Sequence, residues 1–310
     1  MSIKTKSISY AVNDTKILND ISVEINPGEV TTIIGPNGSG KSTLLKIISG
    51  DFENITDKVF YDETVLSSIS LKRRAQIRSV MSQSQMIMFD YYVKDILSMG
   101  WLGFENAENL DAYEKVLEKI VDECAIASLM DRKFNVLSGG EQRRVHFART
   151  LLQLNYEEKQ SINKYLLLDE PTANLDLRWE VRLMENIKNI AKKGIGVFLV
   201  LHNLDLALNF SDKIALLNRG MLQSFGSVND VFRNDVLSDV YEIEHPAVRA
   251  VLQAFNMECG LEIHHDGDLP ARSGLGSSST FTVGLLNVMH ALKGRYRSSG
   301  QLAEEAIYIE

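Results

Sequence analysis

The sequence predicts an α/β fold built around a phosphate-binding loop, and three observations carry that expectation. Residues 35–43 read Gly-Pro-Asn-Gly-Ser-Gly-Lys-Ser-Thr, a Gly-x4-Gly-Lys-Ser pattern. The apolar, β-branched run Val30–Ile34 precedes it, and Leu44, Leu45, Ile47 and Ile48 follow it. The Gly-rich turn is therefore placed between a buried strand and a helix N-terminus. Two further apolar runs, 165–168 and 196–201, end in polar residues: Asp169 and Glu170 after the first, His202 after the second.

Each part of the loop has a physical reason. Gly35, Gly38 and Gly40 permit backbone conformations that a Cβ penalises. The N–H groups along Gly35, Pro36, Asn37, Gly38, Ser39 and Gly40 (Pro36 excepted) can then converge on phosphate oxygens, helped by the helix dipole. Lys41 adds a point charge for β- and γ-phosphates, and the Ser42 hydroxyl, next to Thr43, can ligate Mg²⁺.

Composition sets bounds. A chain of 310 residues holds one large domain or two. Its 45% hydrophobic and 24% charged fractions are ordinary for a soluble globular protein. The net charge of −8 argues against a surface that coats nucleic acid. Cys124 and Cys259 lie far apart, which implies neither a disulfide framework nor a zinc site. No apolar run reaches the length of a bilayer span, and Met1-Ser-Ile-Lys-Thr-Lys is not followed by an apolar signal core. The chain is expected in the cytoplasm, with any membrane work done through a partner.

Along the chain, Asn13-Asp14 and Asn26-Pro27-Gly28 are turn signals, and 17–25 reads as two strands flanking a turn at Asn19-Asp20. Tyr10, early in this β region, offers a ring that can stack on a base. Segment 66–77 reads as a strand end, a turn and a short helix, and Gln83 follows an apolar pair from which it can reach Mg²⁺ or an attacking water. Residues 90–131 read as helical: Tyr113, Val116, Leu117, Ile120, Val121 and Cys124 share one helix face. The Met- and aromatic-rich stretch 86–92 is either a buried strand end or an adaptable docking surface. Leu137-Ser138-Gly139-Gly140-Glu141 precedes a helical run over 143–154 and supplies a second anion-binding helix start. Asp169 is placed to hold Mg²⁺ and Glu170 to act as a general base. Asn174-Leu175-Asp176 opens a loop before a helix over 179–191, residues 213–217 and 221–225 form a hairpin, and a helical segment runs over 228–240.

In this order the motifs resemble the ATPase subunit of ABC transporters, over roughly 1–244, with a β subdomain and a helical subdomain at about 84–160. The resemblance implies a head-to-tail homodimer. ATP would lie between the 35–43 loop of one copy and the Leu137–Glu141 signature, with its Ser138, Gly139 and Gly140, of the other. It implies that Tyr10 stacks on adenine, that Ser42, Gln83 and Asp169 hold Mg²⁺, that Glu170 is the general base, and that His202 senses the γ-phosphate. Asp176 would sit in the dimer loop, and the segment after Gln83 would touch the permease. Segments 71–83, 136–149 and 200–207 are similar to importers of iron chelates, haem above all. The implied partners are membrane permease subunits and, through them, a substrate-binding protein, with no nucleic acid. The implied location is the cytoplasmic face of the membrane. Asn203, where an Asp commonly follows the His, and Asn174 depart from the pattern without removing a catalytic group. The alternatives are a non-transport ABC ATPase of DNA repair or translation, and a bifunctional fusion with a sugar kinase.

After residue 244 the composition shifts, with four of the six His. Residues 260–265 read as a strand, and Asp268-Leu-Pro-Ala-Arg-Ser-Gly-Leu-Gly-Ser-Ser-Ser leads into an apolar helix over 277–292. This stretch resembles the phosphate loop of GHMP kinases, with flanks similar to heptose phosphate kinases, as an incomplete α+β fragment over 245–310. Pro270, Gly274, Leu275, Gly276, Ser277 and Ser278 match the loop, and Glu310 matches a Mg²⁺-binding Glu on an amphipathic helix over 301–310. The segment lacks the family's substrate region and third motif, so kinase activity is not expected.

Overall fold

The computed structural model describes residues 2–83, 87, 89–101, 110–154, 163–233, 240, 250–251, 254–255 and 277–309. The chain divides into two compact units, Met1–Val240 and Tyr241–Glu310.

The first unit opens with β1 (Ile3–Thr5), β2 (Ile8–Val12), β3 (Thr15–Ile21), β4 (Glu24–Ile25) and β5 (Val30–Ile34). Strands β2 and β3 form a hairpin whose two-residue turn, Asn13-Asp14, has φ of 46° and 63°. Positive φ at both positions matches the right-handed twist of the strands. The expected break at Asn19-Asp20 is absent, and β3 runs through it. Asp20 takes φ of 57° and donates its N–H to Ser9 Oγ at 3.0 Å, while Asn19 N–H donates to Gly220 O at 2.8 Å. With both donors satisfied, the irregularity is absorbed as a bulge rather than a turn.

After β5 come α1 (Lys41–Ser49), β6 (Val59–Tyr61), β7 (Thr64–Val65), α2 (Leu71–Ile77) and β8 (Arg78–Met81). Strands β4, β1, β6 and β7 make an antiparallel sheet. The helices α3 (Val93–Gly100), α4 (Leu110–Glu123) and α5 (Gly139–Leu154) follow. The apolar face expected on α4 is turned inward at Ile120 and Cys124, while Glu114, Lys115, Glu118 and Lys119 stay exposed. Helix α5 begins at Gly139, four residues before the expected run.

The remaining elements are β9 (Tyr165–Asp169), α6 (Leu177–Lys192), β10 (Gly196–Val200), α7 (Leu204–Phe210), β11 (Lys213–Asn218), β12 (Met221–Ser227) and the short α8 (Val228–Val231). Of the helical segment expected over 228–240, residues 234–239 lie outside the described residues. The main sheet has the order β12-β11-β5-β10-β9-β8, parallel except for β12. Strands β5, β9 and β10 are buried along their whole length. That explains why their sequences read as continuous apolar runs rather than alternation.

Helix α4 ends in carbonyls capped from other elements. Arg144 donates to Ala125 O at 2.6 Å, Arg182 to Asp122 O at 3.1 Å and Asn186 to Glu123 O at 3.2 Å. The guanidinium carbons of Arg144 and Arg182 also lie 4.3 and 5.0 Å from the centroid of the Trp179 ring. Among the described residues, no helix is long and apolar enough to cross a membrane.

In the second unit, α9 (Ser277–Leu292) and α10 (Ser299–Ile309) pack through Leu285, Leu286, Met289, Leu302 and Ala306. Ser277 and Ser278 open α9. Pro270, Gly274, Leu275, Gly276, Glu310, the 260–265 strand and the 244/245 boundary lie outside the described residues.

Candidate functional site

Four neighbouring strands deliver the candidate groups to one edge of the main sheet. Residues 35–43 follow the carboxyl end of β5, His202 follows β10, Asp169 ends β9 with Glu170 just after it, and Gln83 follows β8. Register fixes their heights: Val200 pairs with Ile33 and with Asp169, and Leu168 pairs with Met81. In open parallel sheets the crevice outside the carboxyl ends is where ligands bind. Here it is a cleft of about 640 Å³ lined by Asn37, Gly38, Gly40, Lys41, Ser42 and Thr43 of the loop and by Ile17, Gln83, Glu170 and His202.

The loop is shaped by its glycines and braced by its lysine. Gly35 has φ of 147°, and a Cβ there would stand 2.0 Å from Leu217 O. Lys41 is 5% exposed and donates to Gly35 O at 2.8 Å and Pro36 O at 3.0 Å. Burial pulls its ammonium below the usual lysine range, while Glu170 and Asp169 oppose the shift. Ser39 N–H donates to Pro36 O at 3.2 Å, which tightens the turn.

Behind the loop, Ser42 Oγ donates to Asp169 Oδ1 at 3.0 Å. Asp169 is 1% exposed, and burial pushes its carboxyl above the usual carboxylate range against the pull of the Ser42 hydroxyl. A buried carboxylate and a hydroxyl at this spacing suit a hard divalent cation that also takes phosphate and water oxygens. Glu170 faces the cleft. Its Oε2 accepts from Gln83 Nε2 at 2.8 Å, and its Oε1 shares a hydrogen bond with His202 Nε2. Its φ of 49° lies in the left-handed region.

Ser138 caps α5. Its Oγ accepts from Glu141 N–H at 3.3 Å, and Glu141 Oε2 accepts from Ser138 N–H at 2.8 Å, a reciprocal capping box. Gln142 reaches back to Leu137 O at 3.3 Å. Gly140 packs closely on the next loop, where an added Cβ would meet Asn174 O at 3.1 Å. Asp176 caps α6 by accepting from Trp179 N–H at 3.0 Å. The signature turn and the Asn174–Asp176 loop are thus brought together, and neither lines the cleft of this one chain. Tyr10 also stands outside the lining, with its ring 4.8 Å from that of Phe52. In the 86–92 stretch, Phe89, Tyr91 and Tyr92 are exposed.

One site residue gives no signal in the sequence. Arg143, on the first turns of α5, donates to the carbonyls of Gln83 at 2.6 Å and Asp169 at 2.8 Å, and to that of Glu170. Two adjacent arginines on a helix read as a solvated face; nothing local says that the first of them points inward to carbonyls of distant strands.

Comparison with known proteins agrees with this geometry. The family described as "ABC transporter" matches residues 18–173, and that described as "GHMP kinases N terminal domain" matches 240–310. The hemin import ATP-binding protein of Rhodopseudomonas palustris (strain BisA53) is 35% identical over 242 residues, 78% of this chain and 88% of that protein. The protein of the same name from Bordetella pertussis is 33% identical over 245 residues, 79% and 93% of the two chains. Among solved structures, a nucleotide-free ATP-binding cassette from an ABC transporter superposes with a TM-score of 0.63 at 25% identity, covering 78% of this chain and 98% of that one. An ATP binding subunit of an ABC transporter gives 0.65 at 20% identity, covering 84% and 95%. The phosphate loop, the signature turn and the carboxylate pair, set on this sheet, together with these relatives, mean that the chain belongs to the ATP-binding subunits of ABC transporters and is an ATPase of that family.

Proposed function

We propose that the protein is the ATP-hydrolysing subunit of an importer for an iron chelate, haem foremost. The observation that carries the reading is the convergence of loop 35–43, Gln83, Glu170 and His202 on one cleft at the carboxyl edge of four adjacent strands, with Asp169 held behind it by Ser42. The choice of cargo is supported by the relatives, which are hemin import ATP-binding proteins.

ATP enters with its phosphates toward Lys41 and the loop N–H groups. Lys41 exchanges its two carbonyl partners for phosphate oxygens. Ser42, Asp169 and Gln83 would hold Mg²⁺, which would supply positive charge to offset that of the phosphates. Glu170 accepts a proton from the attacking water, whose oxygen forms the new bond to the γ-phosphorus as the bond to the ADP oxygen breaks. His202, already paired with Glu170, contacts the γ-phosphate. Tyr10 stacks on adenine from the hairpin side. A second copy presents its Ser138–Gly140 turn to the far side of the nucleotide, with Asp176 at the junction, so that the working unit is a head-to-tail dimer. The dimer engages permease subunits through the 86–92 stretch at the cytoplasmic face of the membrane, and a substrate-binding protein delivers cargo from the other side.

The test is ATP turnover by the full chain assembled with its membrane partner in lipid. Haem-loaded binding protein is expected to raise turnover. Glu170→Gln is expected to keep ATP binding while losing about 10²–10⁴ in rate. Unchanged turnover in Glu170→Gln would remove the general-base assignment, and indifference to haem would remove the cargo.

A further inference from the structure

Glu170 holds a left-handed backbone conformation, with φ of 49°, that side-chain-bearing residues seldom adopt. Such a conformation persists where the surroundings over-determine it. Main-chain bonds supply part of the hold: Glu170 N–H donates to Val200 O at 3.2 Å, and Ala173 N–H donates to Glu170 O at 3.2 Å. One further side chain grips this main chain directly.

Arg143 is 8% exposed. Its Nη1 donates to Gln83 O at 2.6 Å, its Nη2 to Asp169 O at 2.8 Å and to Glu170 O, and its Nε to Pro171 O at 3.4 Å. Every one of these acceptors is a backbone carbonyl, so the fork is spent on geometry rather than on a partner carboxylate. Gln83 and Glu170 are also the two ends of the 2.8 Å side-chain hydrogen bond in the cleft. One guanidinium therefore grips the main chain at both ends of that bond. At the far end of the same helix, Gln153 Oε1 accepts from Ser79 Oγ at 3.2 Å, which anchors α5 near the start of β8. The helix lies along β8 from its beginning to the loop beyond it.

We propose that Arg143 is a positioning residue for hydrolysis: it sets the spacing of Glu170 and Gln83, and it ties that spacing to the signature turn at the N-terminus of its own helix. A displacement of Ser138–Gly140 on closing over the second copy's nucleotide is carried through Arg143 to the carboxylate of the same chain. The inference rests on the reading of Glu170 as general base.

The experiment is steady-state ATPase kinetics and fluorescent-nucleotide binding on the full chain in its assembled complex, for wild type, Arg143→Gln, Arg143→Lys, Glu170→Gln and the double variant Arg143→Gln/Glu170→Gln. Arg143→Gln is expected to lower kcat about 10- to 100-fold, the scale of a small misplacement of reacting groups, while nucleotide affinity stays within about threefold. Arg143→Lys is expected to fail to rescue, because a point charge cannot bridge three segments as a planar fork does. It carries the same test should Arg143→Gln not accumulate as folded protein. In the Glu170→Gln background the added Arg143→Gln is expected to change residual turnover by less than about twofold, since both act on one step. Full turnover in the Arg143 variants, parallel loss of affinity and kcat, or multiplicative loss in the double variant would each overturn the proposal. A wild-type chain that does not hydrolyse Mg²⁺-ATP, or a fully active Glu170→Gln, would instead overturn the reading of the site itself.

Discussion

At the scale of single residues, the site separates groups whose chemistry is written in the motif from groups whose chemistry is written in the packing. Lys41, Ser42, Asp169 and Glu170 were legible because each stands at a fixed offset from a turn or strand end. The structure brings Ser42 and Asp169 to 3.0 Å across 127 positions of chain. Arg143 was not legible, since its acceptors are carbonyls from the loop after β8, from β9 and from the loop after β9, and any residue type supplies a carbonyl. Tyr10 was legible only as an aromatic in the right region, and its ring lies on Phe52. Ser138 belongs to this scale too. Its side chain is engaged by Glu141 and does not line the cleft of its own chain, and its proposed nucleotide contact is with that of the second copy. Ser138→Arg is expected to leave ATP binding to the monomer intact and to abolish the ATP-dependent dimer. Size-exclusion chromatography with Mg²⁺-ATP in the Glu170→Gln background reads this directly, and a dimer that persists would count against the sandwich.

At the scale of elements, the buried parallel strands were recoverable because burial on both faces leaves an unbroken apolar run. The β2–β3 hairpin was recoverable at Asn13-Asp14 and not at Asn19-Asp20. Both pairs are turn formers by composition. Only at the second do Ser9 Oγ and Gly220 O accept the N–H groups that a turn would have used. Helix starts obey local rules. Asp176 accepts from Trp179 N–H, so Asp176→Ala is expected to cost about 1 kcal/mol of stability, and Asp176→Asn only a few tenths. Urea denaturation of the full chain measures both. Equal losses would show that the carboxylate charge, rather than the cap, is what α6 needs.

At the scale of the whole molecule, the match to GHMP kinases over 240–310 and the division of contacts after Val240 fall almost at the same place. Helices α9 and α10 share a small apolar cluster of their own, to which Val251 and Phe255 contribute. Of the residues that resemble a phosphate loop there, Pro270, Gly274, Leu275 and Gly276 lie outside the described residues, and Ser277 and Ser278 open α9. We expect limited proteolysis of the full chain with Mg²⁺-ATP to trim it to near residue 240 with ATPase activity retained, as read by intact-mass measurement. Persistence of the full-length chain, or loss of activity on trimming, would give the segment a part in the ATPase. The first unit, meanwhile, carries its own optical gauge. The sequence has two Trp, and Trp101 is buried on α3's C-terminal side against Tyr113. Trp179, on α6, lies under guanidinium groups from α5 and α6 that also hold the end of α4. Any swing of α4 and α5 relative to α6 must pull the Arg144 cation away from the indole and alter the field about it. In a Trp101→Phe chain, the emission of Trp179 becomes a label-free record of how the helical layer turns against the sheet.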